Sequence, residues 1–143
     1  MRYIILVLML AAVRARANVV IDNSAVLSSV SVTTTTAYNK VIDLAQADSA
    51  SFQMTMQCAK GQLKIQQSND GTNFVDQNVA GSSLTFNGSG LTTQSNQFYN
   101  IANPAYRYIN FNVQNTSAPV AGVASACTVN VTQCLRSVTI KSN

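Results

Sequence analysis

The chain has 143 residues with no His and no Trp, and its five acidic residues, Asp22, Asp43, Asp48, Asp70 and Asp76, are all aspartates. No imidazole is present to activate a serine or cysteine, no two carboxylates have acid–base spacing, and there is neither a His/Cys metal cluster nor a glycine-rich phosphate loop; these absences argue against an enzyme, a metal site and a bound cofactor. The formal net charge is +4, but the basic residues are scattered singly, which argues against a nucleic-acid partner.

Residues 1–17, MRYIILVLMLAAVRARA, set Arg2 before an apolar run from Tyr3 to Val13 and end on Ala15-Arg16-Ala17, an A-x-A cleavage pattern. This predicts a signal peptide over 1–17 and an exported product, secreted, on a cell surface or on a virus particle. The run of 11 residues is well short of the ~20 that a helix needs to cross a bilayer, so no stable membrane insertion is expected. Removing Arg2, Arg14 and Arg16 leaves six basic side chains, Lys40, Lys60, Lys64, Arg107, Arg136 and Lys141, against five Asp, a net charge of +1. Residues 18–143 suit one domain with a single core.

Period-two alternation recurs along this domain, as half-buried strands require. Val30, Val32 and Thr34 share one face; Tyr38, Ile42 and Leu44 share another. Phe52, Met54, Met56 and Cys58 alternate with Gln53, Thr55 and Gln57. Leu63 and Ile65 follow, and Phe74 restarts the chain after a turn. Leu84 and Phe86 form a short predicted strand before the breakers Asn87-Gly88-Ser89-Gly90, and Phe98 to Ile101 form another, closed by Asn103-Pro104. Ile109, Phe111 and Val113 alternate with Tyr108, Asn110 and Asn112. Cys127, Val129 and Val131 repeat the theme, and Val138 and Ile140 continue it in the opposite phase, which predicts a break between Gln133 and Ser137. Eight or nine short strands without helical periodicity predict an all-β fold, a single antiparallel sandwich or barrel. The uncharged Ser, Thr, Asn and Gln that dominate its polar positions suit such a fold.

Two words stand out. Gln62 to Val75, QLKIQQSNDGTNFV, reads as strand, polar turn, strand, and Tyr106 to Val113, YRYINFNV, as a later strand opened by aromatic and basic residues. The pair resembles discoidin-like β-sandwiches and small β-sandwich proteins of phage particles, in which S-N-D-G-T-N-aromatic links two strands and Y-R-Y-I opens another. The resemblance implies a jelly-roll or discoidin-like sandwich. Phe74 keeps a large apolar anchor where the pattern often has Trp, whereas Asn110 stands where discoidin-like domains usually have Arg. The resemblance therefore implies scaffold rather than ligand site.

In Ser68-Asn69-Asp70-Gly71-Thr72-Asn73, Asn and Asp can bond back to nearby amides and Gly71 can take positive φ, which predicts a structural turn. A calcium loop built on Asp70, Asn73 and Asp76 is the weaker alternative, since the spacing departs from the EF-hand order. Tyr106, Arg107 and Tyr108 offer a possible sugar platform, with Asn69, Asp70 and Asn73 as its neighbouring polar loop. The competing reading has Arg107 at the start of a strand, its stem packed and its head in water.

Three cysteines in an exported chain predict a disulfide. Cys58 shares the predicted core face of Phe52 and Met56, and Cys127 that of Val129 and Val131, so Cys58–Cys127 is the favoured pair, with Cys58–Cys134 open as an alternative. Cys134 is then the odd thiol, either inert and buried or a covalent link between subunits. Asn87-Gly-Ser, Asn115-Thr-Ser and Asn130-Val-Thr match the N-glycosylation pattern, which an Asn- and Thr-rich chain also generates by chance. The functional expectation is a non-enzymatic structural or attachment subunit of a virion, fibre or cell-surface appendage. Its partners would be other protein subunits, copies of itself among them. The alternative is a secreted carbohydrate-binding module for surface glycans.

Overall fold

The computed structural model describes residues 16–33, 36–44, 47–80, 82–102, 104–116 and 126–141. The expected signal peptide falls outside these residues except for Arg16 and Ala17, which open the first strand opposite Lys141 and Ile140. The elements are β1 (Arg16–Val32), β2 (Tyr38–Asp43), β3 (Ser49–Ser68), β4 (Val75–Asp76), β5 (Ser83–Ala102), β6 (Tyr108–Asn115) and β7 (Cys127–Lys141). Every described strand pair is antiparallel, and the strands form one sheet in the order β1-β7-β3-β6-β2, with β4 and β5 also paired to β3. The sheet curls into a half-barrel, so its concave face can bury apolar side chains.

The 20-residue β3 organises the whole sheet. Along one side its first half, Ser49 to Gln57, pairs with β7, and its second half, Gly61 to Ser68, pairs with β6. Between them the ladder with β5 shifts register from Cys58↔Thr92 to Lys60↔Asn87, the signature of a bulge. That shift inverts the alternation. Phe52, Met54, Met56 and Cys58 point inward before it, and Gly61, Leu63 and Ile65 after it. Without the inversion, one of the two apolar sets would face water.

The core joins these residues to Ile109, Phe111 and Val113 of β6 and to Cys127, Val129 and Val131 of β7, all essentially inaccessible to solvent. Each such side chain contributes roughly 1.5–3 kcal/mol of burial free energy. The rings of Phe52 and Phe111 meet edge to face at 5.2 Å, joining the two halves of the sheet. Asn115 closes the seam by donating from Nδ2 to the Val32 carbonyl of β1 at 3.0 Å.

Three details differ from the sequence reading. Leu84–Phe86 and Phe98–Ile101 belong to one strand: β5 runs through the breakers because Asn87 pairs with Lys60 and Gly88 to Gly90 occupy the long side of the register shift, opposite Ala59 of β3. The predicted break between Gln133 and Ser137 is also absent, and β7 is continuous. Its phase change needs no bulge because β7 outruns the core, so Val138 pairs with Val19 beyond it. The strands are consequently fewer and longer than expected, seven among the described residues.

Candidate functional site

The turn between β3 and β4 is built on one carboxylate. Asp70 Oδ1 accepts from the Ser68 hydroxyl and from the amides of Thr72 and Asn73, all at 2.8 Å, while Oδ2 accepts from Asn73 Nδ2 at 2.7 Å. The Ser68 hydroxyl oxygen in turn accepts from the amides of Asp70 and Gly71. The amides of Asn73 and Thr72, followed by the side chains of Asn73 and Ser68, hold the Asp70 carboxyl well below its ordinary range. A carboxylate saturated in this way is a fastener, with little left to offer a cation. No group of three acidic, His or Cys side chains that could hold a metal occurs among the described residues. Gly71 has φ of 74° and lies against the Tyr108 ring, which a β-carbon there would meet at 3.3 Å.

The aromatic and basic cluster divides among three environments. Tyr106 turns toward the core and its hydroxyl lies 3.3 Å from that of the buried Tyr99; burial and then the Tyr99 bond push its pKa upward. Arg107 stays in water and forks onto Asp43, Nη2 to Oδ2 at 2.9 Å and Nε to Oδ1 at 3.2 Å, with the two side chains 54% and 44% exposed. Its guanidinium carbon is 5.0 Å from the centre of the Tyr108 ring. Arg107 thus stands just before β6 with its head in water. The three residues do not form one open aromatic platform, because Tyr106 faces Tyr99 while Tyr108 packs on Gly71.

Two shallow clefts flank Tyr106 at this rim. One, of about 360 Å³, is lined by Gln67, Ser68, Asn69, Asn73, Val75, Ala105 and Tyr106. The other, of about 430 Å³, shares Asn69, Ala105 and Tyr106 with it and adds Arg107. Of the sequence candidates, Asn69, Asn73 and Tyr106 therefore meet in one cleft and Arg107 joins in the next. Asp70 is locked inside the turn, and Tyr108 lies apart from both.

A second candidate surface escaped the sequence reading. On the convex face, Asn39 of β2, Asn110, Asn112 and Gln114 of β6, Gln62, Lys64 and Gln66 of β3 and Asp76 of β4 form a lateral lattice of side-chain bonds. Asn39 Oδ1 accepts from Asn110 and Asn112, and Asn110 Nδ2 also donates to Gln66, all at 2.8 Å. Gln62 donates to Gln114 at 2.7 Å. Asp76 accepts from Lys64 and Gln66, and these bonds, Lys64 first, lower its pKa. Asn110 is only 3% exposed although it points outward, and its Oδ1 has no partner among the described residues. The sequence signal was present: the even-numbered residues of Tyr108–Gln114 and Gln62–Gln66 are polar, and the β3–β6 register aligns them.

The disulfide sits at the fork of β3. Cys58 and Cys127 are bonded where β3 passes from β7 to β6, and Cys134 is free and half-buried. Cys134 borders a shallow groove of about 310 Å³ with Ile21, Ala102 and Arg136 among its walls. Compared with protein-family models, with curated proteins and with solved structures, the chain matches none.

Proposed function

We propose that this chain is a non-enzymatic structural or attachment subunit of an extracellular assembly, such as a virion, fibre or cell-surface appendage, and that its amide-bearing sheet face packs against protein partners. The single observation that carries this reading is the convex lattice from Asn39 to Asp76 with the unpartnered, buried Asn110 oxygen. Side chains already bonded to one another lose little freedom on contact, and a mostly uncharged amide face can exchange hydrogen bonds with a partner at low desolvation cost.

Export through a signal peptide over 1–17 belongs to the same proposal, as does a sandwich body of jelly-roll or discoidin-like type. The Cys58–Cys127 bond supports export, because such bridges persist in oxidising compartments. The apolar concave face of the curled sheet, across which Phe52 meets Phe111, supports the sandwich.

The test is electron microscopy of the purified exported protein under concentrating conditions. Ordered assemblies that disappear in Asn112→Lys/Gln114→Lys, with unfolding temperature unchanged, support the reading. Wild-type protein that stays dispersed, alone and with its native particle fraction, sinks it.

One observation favours a second reading, the carbohydrate-binding module. Among the described residues nothing engages the Asn69 side chain or the side-chain nitrogen of Gln67 in the cleft beside Tyr106, and no charged residue lines that cleft. A neutral saccharide fits such a lining. Saturable binding of lactose by the monomer, lost in Asn69→Ala and Tyr106→Ala, would establish it, and absence of binding would exclude that sugar class.

A further inference from the structure

Among the described residues no second strand covers the outer edge of β1. There it pairs with β7 alone, in unbroken register from Arg16↔Lys141 to Ala25↔Thr132. Along this stretch Val19, Val20 and Ile21 are 45%, 51% and 58% exposed, on alternating faces. A free edge presents alternate backbone N–H and C=O groups, and native proteins usually protect it with charge, proline or a bulge. β1 does so only later. Register shifts fall between Ala25 and Leu27 and between Leu27 and Val30, and Ser29 takes φ of 50° with its amide held by Asn130 Oδ1 at 2.7 Å. The first half of the edge has no proline and no bulge, and Asp22 is its one charge between residues 18 and 24.

We propose that residues 18–22 of β1 pair antiparallel with the same residues of a second copy, about a twofold axis at Val20. This rests on the reading of the chain as an assembling subunit and names the partner at one edge. The chemistry of the edge calls for a strand, and the side chains select an identical one. With Val20 opposite Val20, Val19 faces the partner's Ile21 and Ile21 faces the partner's Val19, which covers the exposed apolar set. Asn18 falls opposite the partner's Asp22, so each carboxylate meets an amide donor. Centring the pair on Asp22 would instead set two carboxylates against each other.

The experiment uses the full chain, exported, with Cys134→Ser to remove the free thiol. Sedimentation over a concentration series should show a reversible monomer–dimer equilibrium. Val19→Lys/Ile21→Lys should raise its dissociation constant at least about tenfold, the change that about 1.4 kcal/mol produces. Its unfolding temperature should stay unchanged. Because Val20 meets its own copy, Val20→Cys should be joined by a short bis-maleimide, and Ser24→Cys, displaced from the axis, should react at least about tenfold less. A monomer at every concentration overturns the proposal. So does a dimer indifferent to the lysines, or equal cross-linking at the two positions. Failure here leaves the amide-face reading standing, since Asn112→Lys/Gln114→Lys tests that face separately.

Discussion

Gly61 lies against the disulfide so closely that a β-carbon there would stand 2.8 Å from the sulfur of Cys58; it would also meet Cys127 Sγ at 2.8 Å and the Gln114 carbonyl oxygen at 2.5 Å. None of these atoms is the free end of a flexible chain. The glycine, the bridge and the bulge therefore form one device, located where β3 changes neighbours. We expect Gly61→Ala to destabilise the protein by about 1–3 kcal/mol, as overpacking does, measured by urea denaturation. Removing the bridge in Cys58→Ser/Cys127→Ser opens a link across a sequence separation of 69 residues and should cost about 4 kcal/mol. If Gly61→Ala is neutral, the close approach plays no part in stability.

Asp70 and Asp76 contribute to the acid limb of stability. Both carboxyls are held below the ordinary value of 3.8 by hydrogen bonds made in the folded state. Their stabilisation is complete above the unfolded pKa and is lost as pH falls through the folded ones. The unfolding temperature should thus be insensitive to these groups from neutrality to about pH 4 and decline below it. Asp70→Asn should flatten that decline and lower the plateau. An acid limb identical in Asp70→Asn and wild type would assign the loss elsewhere.

Tyr106 contributes to the alkaline limb. Its raised pKa means that stability is intact below the unfolded tyrosine value of about 10 and falls as pH climbs from there toward the folded one. Ultraviolet difference titration should show a tyrosine ionising above the ordinary range, and Tyr106→Phe should remove that late step. Loss of the 3.3 Å contact with Tyr99 should cost less than about 1 kcal/mol.

Within the convex lattice the cost of substitution should follow burial rather than bond count. Asn110 is nearly inaccessible and its nitrogen serves two acceptors, so Asn110→Ala should cost about 1–3 kcal/mol. Asn112, more exposed and bonded to Asn39 alone among the described side chains, should cost under about 1 kcal/mol on the same change. Urea denaturation of the two variants side by side tests this, and equal losses would contradict it.

Much of the framework was legible in local pattern. Phe52, Met54, Met56 and Cys58 alternate cleanly, as do Ile109, Phe111 and Val113, and all are buried. The Ser68–Asn73 turn was legible for the same reason: its bonds join residues two or three positions apart, so composition alone specifies them. The phase inversion was less so. It shows in the sequence as even apolar positions through Cys58 and odd ones from Leu63, yet the bulge that reconciles them is a property of pairing. At Val138 a similar change of phase needs no bulge, because β7 has already left the core.

By itself the sequence determined that this is a β protein, which residues of each strand share a face, and that Cys58 and Cys127 lie on core faces, because side-chain alternation and turn chemistry are short-range. Only the tertiary structure decided that β3 serves two neighbours in turn, that Gly61 lies under the disulfide, that Tyr106 turns inward away from Tyr108, and that among the described residues β1 stands at the end of the sheet. Those outcomes depend on strand order and register between segments far apart in the chain, and period-two alternation carries no record of which strand lies beside which.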